Sequence, residues 1–245
     1  MYPVLMYHKV GMTVREKADT FLNVSAHDFR RQMRVLAKLG YSVRPFAEIV
    51  EAIQTHKTLP KKTCAITFDD GYECVGEYAA PILVEFGFPA TVFVVSQAIG
   101  QTNAWDGVTG RPVLPLMDEN ALRKLQSDSW EIAGHTRTHP HLNELSDQDA
   151  LEEIRGGREE LEARFGVPTT TFCYPFGHYN ERTPKLVLEA GYRGACTTHS
   201  GMADFQTEPA LVPRVKVAYR DGVLGFLYRL LLRARYARPE FKPLR

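Results

Sequence analysis

The residues of this 245-residue chain whose types and spacing could do chemistry are two pairs. One is Asp69-Asp70, followed by Gly71. The other is His135 and His139, four positions apart and bracketed by Gly134 and Pro140. Adjacent carboxylates in an extended segment point in different directions, so one can ligate a metal while the other faces a water. Gly71 lets the backbone turn sharply after them. Two histidines four apart can converge on one ion from a helical turn or from a bent loop. Pro140 and Gly134 argue against a long helix here, because a residue before proline avoids the α region. No Glu follows the first histidine, so this is not the helical zinc-protease pattern. One carboxylate and two imidazoles suit a catalytic Zn²⁺ site with a position left for water. Co²⁺, Mn²⁺ or Fe²⁺ accept the same donors. Each pair alone has an ordinary reading, an Asp-Gly turn or two surface histidines; together they make a candidate site.

The elements that must position these residues are short. Strands are expected at 4–7, 64–68, 90–95, 130–133, 170–174, near Ala195 and at 211–217, from their apolar, β-branched or aromatic runs. Asp69 and His135 each fall just past a strand, on one rim of the sheet, where β/α proteins place their active sites. Between the strands lie helical patterns. Ser25 caps one with Phe29, Met33 and Leu36 on one face, ending near Gly40. Pro45 opens a second, to about His56. A third runs to about Phe86, stopped by Gly87, and a fourth covers 119–126. Ser146 and Asp149 resemble a capping box for a fifth, with Leu151, Ile154, Leu161 and Phe165 on one stripe. Another ends near Ala190, and a last one follows the final strand. Residues 97–115 read as a long loop. The β-α order, repeated about seven times, implies a parallel sheet. An open doubly wound sheet and a closed barrel both fit. With no linker or internal repeat, residues 1–245 read as a single catalytic domain.

Composition limits the function classes. Apolar residues make up 44% and charged residues 24%, with a net charge of +1. A nucleic-acid partner, which would call for a basic excess, is not expected. Cys64, Cys74, Cys173 and Cys196 form no CxxC pair and read as buried thiols. The first residues lack a basic n-region, so the chain as given reads as cytoplasmic. The stretch 223–236 mixes leucines with Arg229, Arg233 and Arg235, with Arg238 just beyond, and is a candidate for peripheral membrane contact.

Three motifs in order carry a resemblance. Thr67-Phe68-Asp69-Asp70-Gly71, His135-Thr136-Arg137-Thr138-His139 and Tyr174-Pro175-Phe176-Gly177 resemble the first three motifs of the polysaccharide deacetylases, the family 4 carbohydrate esterases. They cover roughly residues 60–200. The opening Leu5-Met6-Tyr7-His8-Lys9-Val10 is similar to the start of one branch of that family. The resemblance implies a distorted (β/α)7 barrel and hydrolysis of the N-acetyl group of an amino sugar in a polysaccharide, oligosaccharide or glycolipid. It implies one divalent ion held by Asp70, His135 and His139, with Asp69 as general base. The N–H of Phe176 would face the oxyanion, and the third motif, Tyr174 to Gly177, would line the substrate cleft. Trp105, in the long loop, is a candidate to stack on a sugar ring.

The sequence departs from the family twice. The third motif usually begins with an Arg that pairs with the base; here Cys173 stands there. The usual late His, the general acid, is missing, since no His follows His199. In a closed barrel the first and last strands are neighbours. His8 would then end near the place of the missing His, with His178 and His199 as alternatives. Arg214, on the last strand, is the candidate partner for Asp69. Two competing functions remain at this point: hydrolysis of a small or cyclic amide, and a catalytically inactive carbohydrate-binding protein.

Overall fold

The computed structural model describes residues 1–12, 22–107, 110–217 and 221–233. Its centre is a closed ring of seven parallel strands: β1 (Val4–Tyr7), β5 (Thr63–Phe68), β6 (Thr91–Val94), β7 (Glu131–Gly134), β8 (Thr171–Cys173), β9 (Gly194–Ser200) and β10 (Val212–Lys216). Closure comes from β1, which pairs with β5 on one side and β10 on the other. This is the (β/α)7 barrel, and the open-sheet alternative is excluded. Three two-residue strands were not anticipated. Strands β2 (Lys9–Val10) and β3 (Asn23–Val24) pair with each other, and β4 (Ser42–Val43) adds to β5. Two-residue strands carry no periodicity from which to read them.

The helices form the outer ring. In α1 (Ala26–Lys38) the Ser25 hydroxyl accepts the Asp28 N–H, and the expected face of Phe29, Met33 and Leu36 is buried. Helix α2 (Phe46–Thr55) starts after Pro45, which occupies the cap position. The helix expected to run from Gly71 instead begins with a π-type turn, Val75–Ala79, that leads into α3 (Ala80–Phe86). Residues 97–115 hold a short helix, α4 (Ala104–Gly107), and the bridge Thr102↔Pro115. Helix α5 (Glu119–Ser127) precedes β7. In α6 (Asp147–Phe165) the buried stripe is Ala150, Ile154, Gly157, Leu161 and Phe165; Leu151 is only half-buried. Helix α7 (Thr183–Glu189) follows β8. The last helix, α8 (Val223–Tyr228), continues as a π-type turn to Arg233. Arg235, Tyr236 and Arg238 of the expected basic stretch lie outside the described residues.

The barrel interior is filled in layers by alternate strand residues. On β5, Ile66 and Phe68 face the helices, where Phe68 stacks on Tyr7 and Trp130. Thr67 and the following Asp69 face inward, in contact with Arg214 from β10. Phe93 lies below the Arg214 guanidinium at 5.9 Å. The lowest layer is polar. Half-buried Glu131 accepts the Thr91 hydroxyl at 2.8 Å, the Ala47 N–H at 3.0 Å and the Thr171 hydroxyl at 2.5 Å, tying the start of α2 to three strands.

Burial raises the pKa of Glu131, and its hydrogen bonds only partly offset this. A carboxyl with a raised folded pKa contributes most below its unfolded value, and that contribution is lost as pH rises through the folded pKa. Glu131→Gln keeps the shape without the charge. It is expected to raise stability at pH 8, where the buried carboxylate would otherwise be charged, and to change little at pH 4. Thermal melts at both pH values check this; a variant less stable than the parent at pH 8 sinks it.

Candidate active site

Parallel strands end on one rim, and the chemistry-bearing residues sit one or two positions past those ends. His8 follows β1, Asp69 and Asp70 follow β5, His135 follows β7 and Tyr174 follows β8. Together with Trp105, Phe176 and His178 they line a cleft of about 430 Å³.

Asp70 sits at φ 72°, and Gly71 follows at φ 80°, so the chain doubles back immediately after β5. A left-handed aspartate is costly, and such outliers persist where the surroundings over-determine them. The turn aims the Asp70 carboxylate at both histidines. Its Oδ1 is 3.2 Å from His135 Nε2 and 3.3 Å from His139 Nε2. All three side chains are buried.

The histidines converge from a bent loop, without a helix. Thr136 and His139 both have positive φ. The His139 N–H donates to the Thr136 hydroxyl, and Glu153 of α6 accepts the N–H groups of Arg137 and Thr138, both at 3.0 Å. Gly157 permits α6 to come this close, since a Cβ there would lie 2.8 Å from the Thr136 carbonyl carbon. Sequence reasoning missed Glu153; on a helix face it looks like any solvated acid.

The donor states fit a divalent cation. His135 Nδ1 lies 2.7 Å from the Cys173 carbonyl, which only accepts, so Nδ1 carries a proton and Nε2 is the ring atom turned to Asp70. Burial works against charge on this ring, but the Cys173 and Asp70 contacts win and hold its pKa well above the usual imidazole range. Burial works against charge on Asp70, but its bonds to the two histidines win and hold its pKa well below the usual carboxylate range. At His139 burial wins and lowers the pKa, leaving a neutral imidazole. Its ring is clamped between Trp105, stacked at 4.2 Å, and Phe176, edge-on at 4.4 Å.

Asp69 faces the other way. Arg214 is fully buried and spends all five donors. Its Nη1 and Nη2 each lie 2.7 Å from an Asp69 oxygen. The remaining donors go to the Thr197 carbonyl, the Thr67 hydroxyl and Cys173 Sγ. Burial would raise the Asp69 pKa, yet the guanidinium prevails and lowers it. His8 Nε2 is 3.5 Å from Asp69 Oδ2. Burial lowers the His8 pKa despite the two nearby carboxylates.

Other expected residues fall less centrally. Tyr174 borders the cleft, but its hydroxyl donates to the Ala210 carbonyl and its ring packs on Phe172 and Tyr179. Pro175 is buried beneath the turn, and Gly177 packs against Thr198. His178 Nδ1 meets His141 Nδ1 at 2.8 Å, and the His141 ring stacks on Phe176. His199 packs against Tyr179 and does not line the cleft. The loop holding Trp105 brings two residues the sequence did not single out. Asn103 and Tyr72 both donate to the Asp106 carboxylate, at 2.8 and 3.3 Å. Burial, then the charges of Asp70 and Asp106, push the Tyr72 pKa up.

Comparison with known proteins finds relatives over much of the chain. YxkH of Bacillus subtilis (strain 168), named for the polysaccharide deacetylases, is 28% identical over 216 residues, covering 88% of this chain and 71% of that protein. The poly-β-1,6-N-acetyl-D-glucosamine N-deacetylase of Staphylococcus aureus (strain MRSA252) is 22% identical over 168 residues; the match covers 65% of this chain and 56% of that protein. The Streptococcus pyogenes deacetylase PplD, solved with acetate, shares the fold with a TM-score of 0.80 at 22% identity, over 93% of this chain and 97% of that one. Residues 56–195 match the polysaccharide deacetylase family itself, and on that match the chain belongs to this family of hydrolases.

Proposed function

We propose that this chain is a metal-dependent N-deacetylase that releases acetate from an N-acetylated amino sugar in a polysaccharide, oligosaccharide or glycolipid. The observation that carries the reading is the buried Asp70–His135–His139 group with a second carboxylate, Asp69, in the same cleft. The substrate class is supported by the family and by the named substrate of the staphylococcal relative. The ion is one divalent cation, Zn²⁺ first by ligand type, with Co²⁺, Mn²⁺ and Fe²⁺ as alternatives.

Asp70, His135 and His139 hold the ion, which supplies Lewis acidity toward the acetyl carbonyl and the attacking water. Asp69, kept ionised by Arg214, takes the proton of the water as its oxygen adds to the carbonyl carbon. The Phe176 N–H is assigned to the developing oxyanion. Burial keeps His8 neutral between turnovers, so the proton it gives to the leaving nitrogen is one received during the reaction. The 3.5 Å approach to Asp69 supplies that route from base to acid. The C–N bond then breaks to acetate and a free amine. Trp105 and Phe176 form an aromatic wall for the sugar.

The test is acetate release from a panel of N-acetylated glycans, with and without chelator and with cations added back. No acetate from any glycan, alongside opening of a small or cyclic amide, would replace this reading with the related amide hydrolase. For the acid, His8→Ala is expected to lower kcat by about 10²–10⁴-fold at unchanged metal content, and His178→Ala to matter far less. The reverse order of effects would move the role to His178.

A further inference from the structure

The helix that closes the described chain is apolar on both sides. Phe226 and Leu230 are fully buried in the core. On the opposite face Leu224, Tyr228 and Leu232 are 84%, 56% and 51% exposed. Their spacing of four places them in one outward stripe across the helix and its π-type continuation. An ordinary surface helix would carry polar residues there. Arg229, the nearest cation in sequence, is turned to Asp221, with Nε 2.5 Å from Oδ2. No helix among the described residues is long and apolar enough to cross a membrane.

Charge along the sequence says what the stripe meets. Residues 229–245 hold six basic residues, Arg229, Arg233, Arg235, Arg238, Lys242 and Arg245, against one acid, Glu240. The chain as a whole is only +1, so the remainder is net acidic. An apolar stripe continuous in sequence with a basic segment matches an anionic lipid surface, which offers an acyl boundary and negative headgroups at once.

We propose that this face docks the protein peripherally on an anionic phospholipid membrane. Leu224, Tyr228 and Leu232 enter the headgroup–acyl boundary, and the positive charge of residues 229–245 supplies the electrostatic attraction. The inference does not depend on the reaction assigned above.

Flotation of the full chain with phosphatidylcholine vesicles, with and without phosphatidylglycerol, tests it. The parent is expected to float with the anionic vesicles, not with the neutral ones, and to be released by high salt. Leu224→Glu with Tyr228→Glu, and separately Arg235→Glu with Arg238→Glu, should each weaken binding by about tenfold or more. Neither pair contains a residue that lines the cleft, and an unchanged melting temperature in each reports intact folding. Failure to float with anionic vesicles overturns the proposal. So does flotation that Leu224→Glu with Tyr228→Glu leaves unchanged. A concentration-dependent dimer that the same pair splits would give the face to a second copy, and would also overturn it.

Discussion

Arg214→Met is expected to destabilise the fold by about 3–5 kcal/mol, because it leaves the Asp69 carboxylate buried without its counter-charge. It also strips a partner from Thr67, Cys173 and the Thr197 carbonyl. The pH dependence has a definite sign. With Arg214 present the folded pKa of Asp69 is lowered, so the pair contributes above the unfolded carboxylate value and is lost as pH falls through the folded one. Without the guanidinium, burial dominates and the Asp69 pKa rises. The deficit of the variant should therefore be greatest near neutral pH and shrink in acid, and the acidic limb of kcat/KM should move to higher pH. Arg214→Lys restores one charge but not the two-point grip, and should recover only part of the loss. Urea titrations at pH 5 and pH 8 with pH–rate profiles check this. A variant as stable as its parent, with an unmoved acidic limb, would remove Arg214 from the machinery of the base.

Asp70→Asn should leave the fold intact and end catalysis. Asparagine tolerates the left-handed backbone found at this position, but it brings no negative charge to the two imidazoles. We expect bound metal to fall to background. Turnover should drop by about 10³-fold or more, the scale of several kcal/mol of lost Lewis-acid assistance. The parent should melt higher in added Zn²⁺, by mass action on the folded state, and Asp70→Asn should not. Elemental analysis, acetate release and melts with and without zinc read these independently. A variant that keeps its metal and its rate would refute the ligand set.

The sequence made legible what depends on local periodicity and on residues of distinctive chemistry. The continuous run of β5 was readable because all six of its residues are buried. The face of α1 was readable because its cap and its apolar spacing agree. Asp70, His135 and His139 stood out because a carboxylate–imidazole set past two strand ends has few other uses. Glu153 and Asn103 escaped, since each acts through backbone groups brought near only by the finished fold. The π-type turn before α3 escaped because Val75–Ala79 reads as helix by type. Arg214 was reachable only by way of the vacant arginine position at Cys173. Sequence position alone says nothing of a contact across 145 residues.

That separation bears on how the protein comes into being. Asp69 follows the second strand of the ring in chain order, and Arg214 belongs to the last. During synthesis Asp69, Asp70, His135 and His139, the residues assigned above to the base and the metal site, are all translated before the arginine that pairs with Asp69. Strand β1 also has a free edge until β10 arrives. A nascent or truncated chain ending before Val212 therefore carries an unpaired inward carboxylate and an open barrel seam. The strand that closes the barrel also delivers the counter-charge of Asp69, so on the proposed reading the base is set only once the chain is complete.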